Sequence, residues 1–266
     1  PPLRGEIAFD NVSFSYDGKT PVLEDLSFRV EPGKSLAIVG LTGSGKTTII
    51  NLLLRFYDPL QGAVKIDGRD VREFDARSLR RQMALVLQDV FLFSGTVEEN
   101  LRLGEASIDR AKIEDAARAV NADRFIARLP KGMETQVLER GVALSSGERQ
   151  LLSFARALAF DPKILVLDEA TSSVDGETER LIQEGLLRLM KGRTSVVIAH
   201  RLSTIQHADR ILVLHKGRVR EEGTHAELLR REGLYRKLYR LQSIGGDPAP
   251  PPARTPLEAL PEGGAA

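Results

Sequence analysis

The chain predicts an α/β fold, with a parallel sheet core, an antiparallel β unit ahead of it and a helical insertion in its middle. Three observations carry this. Short, wholly apolar runs at residues 164–167 and 196–199 alternate with stretches of helical spacing, the pattern of strands covered on both faces. Residues 6–40 instead alternate apolar and polar positions, as in Ile7-Ala8-Phe9 and Val12-Ser13-Phe14-Ser15-Tyr16, and break at Asp17-Gly18 and Pro32-Gly33. From about residue 96 to 129 the spacing is mostly helical.

The elements follow in order. The front strands end in a buried strand over 35–40, and a helix over 46–56 comes next. Short strands are expected at 63–66 and 84–88. Helical pieces at 110–120 and 122–129 precede a glycine-punctuated loop and a helix over 148–159. After Asp161-Pro162 come the strand over 164–167, a helix over 177–190, a strand over 194–199 and a hairpin over 210–223. Closing helices are expected over 226–231 and 234–241. From Gly245 onward the chain is rich in proline and glycine, with Pro-Ala-Pro-Pro-Pro at 248–252, and reads as disordered. The expected organisation is therefore one domain over 1–241, its helical part about 96–160, and a tail over 242–266. No internal repeat is visible.

Composition narrows the function. The 266 residues are 42% hydrophobic and 28% charged, with 38 basic and 37 acidic side chains and a net charge of +1. This is globular composition without the basic footprint of a nucleic-acid binder. The absence of cysteine excludes a disulfide scaffold, thiol catalysis and cysteine-ligated metal. No apolar run approaches the roughly 20 residues a bilayer helix needs. The chain opens on Pro1-Pro2 with no leader, and the expectation is a domain cut from a longer chain.

Gly40-Leu41-Thr42-Gly43-Ser44-Gly45-Lys46-Thr47 fits GxxxxGK[ST] between an expected strand and an expected helix. The glycines let the backbone curl so that its N–H groups face an anion, and the helix start adds partial positive charge. Lys46 then reaches the β and γ phosphates, and the Thr47 hydroxyl stands where it can ligate magnesium. Asp168-Glu169 closes the apolar run 164–167 at the sheet edge where α/β folds bind ligands. Asp168 is expected to hold the magnesium shell and Glu169 to polarise the attacking water. The core is thus expected to be a P-loop (RecA-like) sheet carrying a nucleotide site with Mg²⁺.

With these residues in place, the sequence resembles the ATP-binding-cassette family, specifically the nucleotide-binding domain of an exporter, over about residues 5–241. Leu144-Ser145-Ser146-Gly147-Glu148 stands where that family carries LSGGQ, about 20 residues before Asp168. The resemblance implies that Tyr16 stacks on adenine and that Thr42, Gly43, Ser44, Gly45 and Thr48 join Gly40, Lys46 and Thr47 around the nucleotide. It further implies that Gln88 contacts magnesium and water, that Ser172-Ser173-Val174-Asp175 links the two sites of a dimer, and that His200 contacts the γ-phosphate. Taken singly, Tyr16 reads as an ordinary strand aromatic, Gln88 as a surface glutamine and His200 as a satisfied histidine. The ordered set carries their assignment. His207, His215 and His225 keep the structural reading. The stretch from Gln88 to Thr96 resembles the exporter segment that receives a coupling helix from a membrane domain, and Thr135–Gly141 resembles the exporter loop before the signature.

In this family two cassettes pack head to tail, so Ser145 and Gly147 would serve ATP held by the partner. Ser146 and Glu148 depart from LSGGQ, by an added Cβ and an added carboxylate, and both changes are expected to weaken the partner's site. The expected protein is one half of a heterodimeric bacterial exporter of the multidrug or peptide type, its transmembrane domain upstream of Pro1, working at the cytoplasmic face of the cell membrane. A homodimer that tolerates LSSGE is the competing arrangement. The rival functions are a DNA-maintenance ATPase and a non-hydrolysing regulatory cassette. About 55 residues between Gln88 and Leu144, without sustained heptads, leave no room for the long coiled coil of the first. Asp168, Glu169 and His200 speak against the second.

Overall fold

The structure is a computed structural model, described over residues 2–87, 89–138, 141, 144–168, 176–199 and 202–242. The chain begins with strands β1 (Ile7–Phe14), β2 (Leu23–Val30) and β3 (Ser35–Val39), and helix α1 (Lys46–Leu53). Strands β4 (Gln61–Ile66) and β5 (Arg69–Asp70), helix α2 (Ala76–Arg80), and strands β6 (Met83–Val86) and β7 (Gly95–Thr96) follow. Helices α3 (Val97–Arg102), α4 (Arg110–Ala119) and α5 (Asp123–Ile126) lead to β8 (Gln136–Val137) and α6 (Ser146–Ala159). Then come β9 (Ile164–Asp168), α7 (Gly176–Met190), β10 (Thr194–Ile198) and α8 (Leu202–His207). The last described elements are β11 (Arg210–His215), β12 (Arg218–Gly223), α9 (His225–Arg230) and α10 (Leu234–Gln242).

The central sheet has the order β12-β11-β3-β10-β9-β6. Strands β11, β3, β10, β9 and β6 run parallel, and β12 closes the edge antiparallel to β11. A second sheet, β2-β1-β4-β5, is antiparallel throughout. Alternate residues of each central strand enter different cores, as the two-residue period of a strand requires. Leu36, Ile38, Val166, Val196 and Leu212 join β1, β2, β4 and α1 in one core. Ala37, Val39, Leu165, Val197 and Val213 join the helices α3 to α7 in the other. Both faces are covered, which explains why β3 and β10 are buried at every position and carry the apolar runs 36–39 and 196–198. The α/β class and the β11–β12 hairpin agree with the sequence.

Some elements differ from expectation. Helix α1 stops at Leu53, short of residue 56, because Arg55 takes a left-handed conformation at φ 53°. Helix α6 starts at Ser146, two residues earlier than the apolar spacing indicates. Helix α2 was absent from the sequence reading. It is short and arginine-rich and buries only Leu79, so no periodicity marks it, and Asp75 starts it by accepting the Ser78 N–H at 2.8 Å. The tail expected over 242–266 falls almost wholly outside the described residues.

Candidate functional site: a phosphate cradle at the sheet edge

Strands β3, β10 and β9 end together, with Ile38 beside Ile198 and Ile198 beside Asp168. The P-loop leaves β3 at this edge. Gly40 is required by packing: a Cβ there would lie 2.3 Å from the Leu214 carbonyl oxygen of neighbouring β11. Gly40→Ala is therefore expected to destabilise the fold by about 1–3 kcal/mol and to lose nucleotide binding, read by urea titration and a fluorescent-ATP assay. Unchanged stability would show that the loop yields. Gly45, at φ 104°, occupies the left-handed region, and its Cα faces the Leu23 side chain too closely for a Cβ. The Gly217 N–H braces the loop from the β11–β12 turn by donating to the Ser44 carbonyl at 3.1 Å.

Everything in this loop favours an anion. The first-turn amides of Lys46, Thr47 and Thr48 have no acceptor inside the helix. No side chain caps this end of α1 and no acidic residue lies in its first turn, so its partial positive charge is uncompensated. The Ser44 hydroxyl is buried and has no hydrogen-bond partner among the described residues. Lys46 Nζ donates to the Gly40 and Leu41 carbonyls at 2.8 and 3.0 Å, which holds the ammonium over the loop. Burial pushes the Lys46 pKa below the usual lysine range, and the negative charge of Asp168 opposes that shift. Thr42, Gly43 and Thr47 are exposed on the outer lip. The cradle fits a polyphosphate, and Thr47 and Asp168 each carry oxygen donors of the kind that magnesium prefers.

Tyr16 reaches the same helix. Its hydroxyl lies 3.2 Å from Thr48 Oγ1 and accepts from Asn51 Nδ2 at 3.0 Å. The ring is half exposed, and the Phe14 and Tyr57 rings stand at 88° and 88° to it, with centroids 4.9 and 5.1 Å away. Asp17 fixes the loop beyond it. The backbone N–H of Thr20, the Ser15 hydroxyl and the Lys19 N–H all donate to its carboxylate, holding that group far below the usual carboxylate range. The sequence reading singled out neither Asn51 nor Asp17. An asparagine inside a helix was the available signal for the first, and Asp-Gly was taken only as a turn.

The signature lies elsewhere. Ser145 is the N-cap of α6: its hydroxyl accepts from the Glu148 N–H at 3.2 Å, and its own N–H donates to the Glu148 carboxylate at 2.8 Å. This is a reciprocal capping box, a role that glutamate and glutamine fill alike. The expected penalty of the added carboxylate is thus locally offset, because the Glu148 side chain turns back onto its own helix start. Ser146 sits in the first helical turn, where an added Cβ meets no conformational strain, and Gly147 is buried behind it. Ser145→Ala is expected to cost about 1 kcal/mol of stability, whereas Glu148→Gln should leave it unchanged; urea titrations check both. Among the described residues no hydrogen bond joins Ser145 to the P-loop. Gln88, Glu169, Asp175 and His200 lie outside the described residues.

A second organised feature lies between the P-loop sheet and the helices. The Arg156 guanidinium, on α6, donates to the Asn100 carbonyl at 2.9 Å and the Phe91 carbonyl at 3.1 Å. Burial pushes its pKa down to about 10. Asn100 in turn exchanges hydrogen bonds with the Phe93 backbone, at 2.9 and 2.9 Å. The backbone of 91–96 is held from beneath, while Phe91 and Phe93 remain 44% and 53% exposed.

A phosphate cradle opening a helix beside a buried strand that ends in aspartate defines a P-loop nucleotide-binding domain. The ABC transporter family profile matches residues 23–172. The chain belongs to the ABC transporter family, as an ATP-binding domain with the mixed α/β fold of the ABC ATPases. It is 53% identical over 240 residues to the "Uncharacterized ABC transporter ATP-binding protein YknV" of Bacillus subtilis, covering 90% of this chain and 40% of that protein. It is 51% identical over 238 residues to the "Probable multidrug resistance ABC transporter ATP-binding/permease protein YheH" of the same organism, covering 90% of this chain and 35% of that one. A solved bacterial Atm1-family ABC exporter with ATP bound superposes with TM-score 0.85 at 44% identity, over 94% of this chain and 43% of that chain. The chain thus spans 40% and 35% of the length of these two curated relatives. Among the described residues no helix is long and apolar enough to cross a membrane.

Proposed function

We propose that this chain is the ATP-hydrolysing motor of an exporter, acting at the cytoplasmic face of the membrane and coupled to a transmembrane domain. The observation that carries this reading is the uncapped start of α1, with the orphaned Ser44 hydroxyl and the tethered Lys46 ammonium around it. Gly40, Gly43, Ser44, Gly45, Lys46, Thr47 and Thr48 bind the phosphates, and Tyr16 stacks on the base. Thr47, Asp168 and Gln88 hold magnesium, which when bound neutralises charge on the transferred phosphoryl group. Glu169 accepts the proton of the attacking water, and His200 contacts the γ-phosphate. A second cassette supplies Ser145 and Gly147 across the nucleotide, with Asp175 in the segment linking the two sites. ATP binding closes this pair and hydrolysis reopens it.

The apolar side chains of Phe91 and Phe93, on a backbone fixed by Arg156 and Asn100, support docking of a coupling helix there. Phosphate release from ATP in the presence of magnesium tests the motor. A chain that binds ATP without releasing phosphate would be a regulatory cassette instead, and stimulation dependent on DNA would favour the DNA-maintenance reading. A non-identical partner is the arrangement we favour, because Ser146 and Glu148 alter the surface offered to the partner while the chain's own P-loop, Asp168, Glu169 and His200 follow the family pattern. Purifying the transporter with one subunit tagged tests this: a single-species complex with two active sites would overturn it.

A further inference from the structure

Tyr16 is not left to find its own orientation. It lies beyond β1, outside any helix or strand, and a half-exposed tyrosine there ordinarily samples several rotamers. Here its hydroxyl is tied at two points to α1, to Thr48 Oγ1 and to Asn51 Nδ2, one helical turn apart. These contacts join the ring to the helix whose first turn forms the phosphate cradle. The rings of Phe14, which is buried, and Tyr57 stand perpendicular to it, and among the described residues no ring stacks parallel to it. A planar ligand lying on Tyr16 therefore meets one aromatic face whose position relative to the phosphates is set by the helix.

We infer that Asn51 is a positioning residue for nucleobase recognition, acting through the Tyr16 hydroxyl and touching no part of the nucleotide itself. This rests on the reading that Tyr16 receives the base. Asn51 converts part of the ordering cost of the bound state into a cost already met in the fold, so its contribution appears only with ligands that carry a base. Inorganic tripolyphosphate, which has the phosphates and no base, isolates the cradle. Losing one neutral hydrogen bond that fixes the ring is expected to weaken ATP binding by about three- to tenfold.

The test displaces a ribose-labelled fluorescent ATP from the 266-residue chain, with ATP or tripolyphosphate as competitor and magnesium present. The expected result is that Asn51→Leu and Tyr16→Ala both weaken ATP and leave tripolyphosphate unchanged, while Asn51→Gln, which keeps the donor, restores ATP binding. The KM for ATP should rise in Asn51→Leu with kcat preserved at saturation. Loss of ATP and tripolyphosphate affinity together in Asn51→Leu would mean a structural role in α1 and would overturn the inference. So would an Asn51→Leu with normal ATP affinity where Tyr16→Ala is impaired. If Tyr16→Ala itself binds ATP normally, the base-stacking reading of Tyr16 fails and the inference fails with it. Thermal melts of each variant separate unfolding from these outcomes.

Discussion

Lys46→Ala is expected to weaken ATP binding by roughly 30-fold or more, the equivalent of about 2 kcal/mol for truncating one side of a desolvated charge pair. Lys46 is 9% exposed, and among the described residues its ammonium is met by the Gly40 and Leu41 carbonyls and the more distant Asp168 charge. A polyphosphate adds further opposite charge at this group. The nucleotide-free protein should for that reason lose little stability on substitution, because an incompletely paired buried cation is costly to keep. Lys46→Arg should not rescue binding, since a planar fork cannot replace a compact point charge in a closed loop. A pH dependence follows. Burial lowers the Lys46 pKa, so the ammonium deprotonates sooner than an exposed lysine as pH rises, and ATP affinity should fall over that alkaline range. That slope should vanish in Lys46→Ala. A fluorescent-ATP titration checks both claims, and unchanged affinity in the variant would remove Lys46 from the site.

The same cradle was legible in the sequence because its requirements are local. Gly40 and Gly45 are dictated by a neighbouring carbonyl and by a left-handed φ, and both stand at fixed offsets from Lys46. Strand β9 was legible because burial on both faces leaves only apolar residues, and its end falls one residue beyond the apolar run, at Asp168. What the sequence hid was tertiary. The tie from Asn51 to Tyr16 spans 35 positions and joins a loop to a helix face. Arg156 reaches 65 residues back to the Phe91 carbonyl, and nothing in the spacing of α6 distinguishes it from an exposed arginine. Helix α6 is the instructive case. Ser145-Ser146-Gly147-Glu148 carries a capping-box pattern, which places the helix start at Ser146. Apolar spacing alone begins at 148, whereas Glu148, a departure from the family motif, is also the glutamate of the capping box that starts the helix.

That role bears on the partner. If Glu148 is held by the Ser145 N–H in the assembled pair, its charge sits against the positive end of α6 and is partly neutralised there. The surface offered to a second cassette then differs from the family pattern less in charge than the bare sequence suggests. Ser146 remains the substantive difference, as added bulk in the first helical turn. Restoring Ser146→Gly in the full transporter, with Glu148 untouched, therefore separates the two contributions to the partner's ATP turnover.

Glu169→Gln is the second large effect: turnover should fall by about 10²–10⁴-fold, the range for losing a positioned general base, while ATP affinity stays at or above that of the unaltered chain. In sequence the residue follows Asp168, which ends β9 where β3, β10 and β9 stop in register. On the proposed reading the two consecutive acids have separable duties. Asp168 already interacts with the Lys46 charge, which suits it to the metal shell and the ground state. Glu169 is the acid we propose to accept a proton in the transition state. Glutamine keeps the size and hydrogen-bonding shape of glutamate and removes only the basic oxygen, so binding is spared. Removing a negative charge near a polyanion relieves repulsion, which is why affinity should not drop. Steady-state phosphate release gives the first measurement, and multiple turnover near the unaltered rate would exclude Glu169 as the base. A single-turnover experiment completes the assignment. A fast first turnover with slow later ones would move Glu169 from bond cleavage to product release, whereas a slow first turnover with normal ATP binding fixes its action at the water.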